Sequence, residues 1–147
     1  MYLDSQFLDK INNSFNDIDE IDLTERYDRI TSIATFDHIT DLPKVIAKGA
    51  ILLDADGILR TSIPNERTFL WKLGWKLTIG LEFKMKHGLD YGILMNYEHV
   101  NNSNEIEDIL NYFFQQNKCS TFGISKGIAF YRFYESKTPN IELAHEY

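Results

Sequence analysis

The chain lacks more than it advertises. It has one cysteine, Cys119, so no internal disulfide can form. It has only three prolines, and no apolar run approaches the roughly 20 residues that cross a bilayer. The opening "MYLDSQFLDK" carries acids and lacks the basic start and apolar centre of a secretory signal. A lone thiol and no leader predict a cytoplasmic protein with no membrane partner. There is no excess of basic charge either. The net charge of −7 argues against direct nucleic-acid binding, because phosphate neutralisation needs a basic face. The four histidines, His38, His87, His99 and His145, form no pair at zinc-ligand spacing. They read as surface or turn residues. No glycine cluster makes a phosphate loop. No metal and no cofactor are therefore expected.

What is present suits one packed domain spanning 1–147. The apolar share is 44% and the aromatic share 14% over 147 residues. The charge is unevenly placed. Residues 1–41 hold 10 acids and 3 bases, whereas the remainder holds 12 of each. The centre of the excess is "NDIDEIDLTERYD", with Asp17, Asp19, Glu20, Asp22, Glu25 and Asp28. Acids there can be a solvated loop and helix start. They can also be a docking surface for a basic partner, since such fields steer encounter.

The periodicities divide the chain. Leu3, Phe7, Leu8, Ile11, Phe15 and Ile18 recur at helical spacing. Thr24 is placed to cap a second helix, with Tyr27, Ile30, Ile33 and Ala34 as its face. Asp41 and Pro43 predict a third, ending near Gly49. So 1–49 reads as mainly helical and 50–147 as mainly strands. In "FLWKLGWKLTIGLEFKM" the apolar residues occupy every odd position from Phe69 to Met85, which predicts a long bent strand. "YGILMNYEHV" reads as its return. "NNSNEIEDILNYFFQQN" predicts a helix near 103–116, with Asn102 and Glu105 as a capping box. "CSTFGISKGIAFYRFYES" predicts a closing hairpin. The expected class is α+β: N-terminal helices, then a curved, mostly antiparallel sheet, with one further helix before the last hairpin.

Three readings of function follow. "LLDADGIL" resembles the first motif of haloacid-dehalogenase-type phosphatases, which implies Asp54 as nucleophile and Asp56 as acid/base. Ile58 stands where that family has threonine, and the flanking strand signals favour a hairpin turn at Asp–Gly. Cys119 has no local nucleophile signature and reads as a small core residue, although folding could bring it to His99. In size, acidity and absence of a catalytic set, the whole chain resembles the small acidic immunity proteins of bacterial toxin systems. The resemblance implies a non-enzymatic inhibitor of a basic, nuclease-type protein toxin. Asp17, Asp19, Glu20, Asp22, Glu25 and Asp28 would steer the partner, and Tyr131 and Tyr134 would anchor it. From "ILLDADGILRTSI" onward the order of elements also resembles type III secretion chaperones, which implies an acidic effector-binding homodimer.

Overall fold

The computed structural model describes residues 11–65, 85, 86, 88, 99–123 and 125–147. The first ordered surprise is strand β1, Tyr27–Ile33, where helical spacing had been expected. A register shift between Tyr27 and Arg29 explains the misleading pattern. It disturbs the alternation so that Tyr27 and Ile30 are both half-buried despite lying three residues apart. Upstream, residues 11–17 form no helix, and Ile18–Glu20 make a single 3-10 turn.

Helix α1, Leu42–Leu52, forms where Pro43 pre-sets its first turn. Leu42, Ile46, Ala47, Ala50 and Ile51 line its buried face at helical intervals. Gly49 does not stop it. The chain then passes directly into strand β2, Leu53–Pro64, which pairs parallel with β1. This β1–α1–β2 unit is a crossover, as parallel pairing requires.

The stretch Asp54–Gly57 is therefore not a hairpin turn. Leu53 faces Tyr27, and the next partners are Ile58 and Arg29, so the intervening residues bulge out of β2. Gly57 is needed there, since a Cβ would stand 2.9 Å from the Asp54 carbonyl oxygen and 3.0 Å from its nitrogen. Asp54 lies near the amino end of β2, away from the carboxyl end where α/β sheets carry ligands. The phosphatase role is thus not supported by position.

Helix α2, Ser103–Phe113, matches the expected capping box. Asn102 Oδ1 accepts from the Asn104 and Glu105 backbones at 2.9 and 3.1 Å, and Glu105 accepts from the Asn102 N–H at 2.7 Å. It ends at Phe113, and β3 begins at the next residue. β3 (Phe114–Phe122) and β4 (Tyr131–Pro139) form the closing antiparallel hairpin. Helix α3, Ile141–His145, occupies the tail. The long alternating segment with Trp71 and Trp75, and most of its expected return strand, lie outside the described residues.

The four-stranded sheet has the order β1-β2-β4-β3. β1 and β2 are parallel, and the other pairs are antiparallel. The sheet is mixed, and the fold is α/β rather than a run of helices followed by an antiparallel sheet. One core joins α1, α2 and α3 to one face, through Leu53, Leu59, Ile63, Phe114 and Tyr134. On the other face Ile33, Ser62, Phe133 and Ser120 form a row across all four strands, with Ile33 71% exposed. Among the described residues no helix is long and apolar enough to cross a membrane.

Candidate functional site

The carboxyl ends of β1 and β2 come together beside the start of α2. Beyond Ile33 the chain turns at Ala34, whose φ of 47° is in the left-handed region. The Ala34 N–H still donates to Ser62 of β2 at 2.9 Å, so the turn is tied to the parallel pair. Residues Phe36–His38 then make a 3-10 turn. Phe36 is buried and anchors it in the core.

This turn buries a carboxylate. Asp37 is only 4% exposed, and neither of its carboxylate oxygens accepts a hydrogen bond. An isolated charge in such a place is costly unless compensated. Two imidazoles stand beside it. His38 Nε2 lies 3.5 Å from Asp37 Oδ2, and His99 Nε2 lies 3.6 Å from the same oxygen. The two rings are 4.4 Å apart at 53°. The His38 side chain is 44% exposed and that of His99 15%, so the cluster opens to solvent on the His38 side.

Asn101 fixes this geometry. Its side-chain amide donates to the carbonyls of Phe36 and Ile39 at 2.9 and 2.6 Å, and its backbone N–H donates to that of Asp37 at 3.1 Å. Asn65 plays the matching part just after β2. It is buried, donates to Lys126 and Ala129 carbonyls at 2.8 and 3.1 Å, and accepts from Ser103 Oγ at 2.8 Å. Both strand ends are thereby joined to the segment that starts α2.

The residues expected to bind a partner lie elsewhere. Asp19 accepts from Lys44 at 2.5 Å and Lys48 at 3.3 Å, and these cations hold its carboxyl below the usual range. Asp17 caps the 3-10 turn through the Asp19 N–H at 2.8 Å, and Glu20 accepts from the Asn16 N–H at 3.1 Å. Asp22 accepts from the Thr24 N–H and hydroxyl, which lowers its pKa. Glu25 lines a groove beside β1 with Tyr27 and Arg29, and Asp28 is exposed on β1. Tyr131 stacks on Phe133. Tyr134 is buried in the core, where desolvation raises its hydroxyl far above the usual range, so it is no surface anchor.

Sequence reasoning missed Asp37 and Asn101 entirely and left His38 and His99 scattered. The available signal is an Asp–His pair following an apolar strand, but the spacing of Tyr27, Ile30 and Ile33 reads as helical and hides that strand. Cys119 sits in β3 opposite Tyr134, not among the clustered ligand-type groups.

No protein-family model matches the sequence, and no curated protein matches it. Among solved structures, the fold is similar to that of a SAM-dependent methyltransferase from Thermotoga maritima, described as a possible histamine N-methyltransferase. The TM-score is 0.50 at 15% identity, and the match covers 76% of this chain and 56% of that one. The likeness concerns the fold. It corrects the α+β assignment and, with it, the expectation of a non-enzymatic immunity protein. That expectation rested on the absence of converged reactive groups, and Asp37, His38 and His99 converge. No comparison supports an immunity protein.

Proposed function

We propose that the chain carries the acceptor side of a methyltransferase-type enzyme, with the solvent-facing His38 side of the cluster at the carboxyl ends of β1 and β2 as its binding site. The observation that supports this reading is a buried carboxylate flanked by two imidazoles at that place. Open α/β sheets bind ligands outside the carboxyl ends of their strands. The fold likeness adds the reaction class and suggests an amine acceptor.

The chemistry suits an amine. In water an alkylamine is protonated and offers no lone pair. Asp37 attracts the cation, and loss of a proton to the carboxylate–imidazole cluster frees the nitrogen. Asn101 positions that carboxylate by holding the backbone on both sides of it. S-adenosylmethionine would supply the methyl group. The described residues do not fit its adenosine portion. Residues 34–41, between β1 and α1, contain no glycine, so the backbone offers no glycine-rich turn for close approach. They fit the acceptor alone.

The test is methyl transfer from S-adenosylmethionine to a panel of small amines that includes histamine, together with amine binding followed by NMR. Turnover or amine binding that Asp37→Ala abolishes is expected. Neither turnover nor resonance shifts around residues 36–39 and 99–101 would overturn the reading.

A further inference from the structure

We infer that Asp37, His38 and His99 form a binding site for a divalent transition-metal ion. This goes beyond the methyl-transfer reading and does not rest on it. One ligand atom from each residue lies within 4.8 Å of the other two. Both Nε2 atoms approach the same carboxylate oxygen, at 3.5 and 3.6 Å.

These separations distinguish two explanations. A direct N–H···O bond spans about 2.7–3.2 Å, so the imidazoles stand too far off for good hydrogen bonds. Around a tetrahedral ion with bonds of about 2.0–2.1 Å, neighbouring ligand atoms stand about 3.3–3.4 Å apart. The two nitrogen-to-oxygen separations, 3.5 and 3.6 Å, are close to that edge. An ion between the three groups would also satisfy Asp37, whose buried oxygens accept no hydrogen bond.

The donor set narrows the metal. Two imidazoles and one carboxylate suit zinc, cobalt, nickel or iron in the divalent state. Magnesium and calcium prefer all-oxygen shells and are disfavoured. Three protein ligands leave at least one position open, as in catalytic rather than structural zinc sites. His38, with a side chain 44% exposed, is the solvent-facing member of the set.

The architecture supports a pre-formed site. Asp37 and His38 share a 3-10 turn, so their separation is fixed locally. His99 comes from a distant part of the chain, but Asn101 ties its segment to the same turn through three hydrogen bonds. A metal binding here loses little to ordering of its ligands.

The experiment is titration of the purified, chelator-stripped chain with Zn2+ by calorimetry and with Co2+ by visible absorption. One ion per chain is expected, with the d–d bands of a low-coordinate nitrogen and oxygen site. Mg2+ and Ca2+ should give no comparable heat. His38→Ala, at an exposed side chain that should leave the fold intact, should weaken Zn2+ binding at least about tenfold, as should His99→Ala. Circular dichroism of each variant separates ligand loss from unfolding. Absence of stoichiometric binding, or binding unchanged in a folded His38→Ala, overturns the inference. The two readings use the same three side chains, so a bound ion would take the place of the amine's proton on them. Because no methyl donor or acceptor is present in this titration, failure here leaves the methyl-transfer reading of the ion-free cluster untouched.

Discussion

Asn101 holds Asp37 from behind: its backbone N–H donates to the Asp37 carbonyl at 3.1 Å while its side chain takes the carbonyls of Phe36 and Ile39. One residue thus satisfies the turn that presents the buried carboxylate. Asn101→Ala should cost about 1–3 kcal/mol, because buried carbonyls lose their donors. Urea denaturation measures that cost. Since Asn101 is a positioning residue rather than a ligand, its loss should also weaken Zn2+ binding, by about 10–100-fold. Zn2+ affinity equal to wild type would show that the turn keeps its geometry unaided.

A second prediction concerns the bulge of β2. Gly57 leaves no room for a methyl group against the Asp54 backbone, at 2.9 and 3.0 Å, or against Leu53 Cδ2 at 3.0 Å. Backbone atoms cannot swing aside as a flexible side chain can. Gly57→Ala should therefore destabilise by about 1–3 kcal/mol, read as a lower urea midpoint with unchanged m-value. Gly127, where an added Cβ meets nothing within 4 Å, is the matched control.

The third prediction tests the polar pairing between α2 and β4. Arg132 is buried and donates to Asn104 at 2.8 Å and to Glu107 at 3.2 Å, and Glu107 also pairs with Lys126. Removing Arg132 leaves Glu107 with Lys126 as its one remaining cation among the described residues, and Asn104 Oδ1 without this donor. Arg132→Ala should cost about 3 kcal/mol, at the low end for such pairs, because Glu107 is partly exposed and keeps Lys126. Burial pushes the Glu107 pKa up, but Lys126, the Tyr134 hydroxyl and the charge of Arg132 together more than offset this and leave it below its ordinary value of 4.5. A lowered folded pKa means that Glu107 contributes stability above about pH 4.5, lost as pH falls through the folded value. Wild type should lose stability in that window, and Glu107→Gln should flatten the profile. Parallel profiles would remove Glu107 from the account.

Some of this architecture was legible without coordinates. Local signals sufficed where the whole rule lies within a few residues. The Asn102–Glu105 capping box, the stripe Ile106–Leu110–Phe113 and Pro43 at the head of α1 each act over one or two helical turns. The β3–β4 hairpin is equally local, since neighbouring strands pair across one loop. What only the tertiary structure decided was β1, its parallel partner and the site at their ends. Parallel pairing joins residues separated by a whole helix, and the bulge in β2, with the register shift it sets between Tyr27 and Arg29, blurs the alternation that would have revealed them. Asp37, His38 and His99 carry no mutual spacing rule. Their meeting depends on where Asn101 and Ser103 dock against β1 and β2, a consequence of packing rather than of any motif.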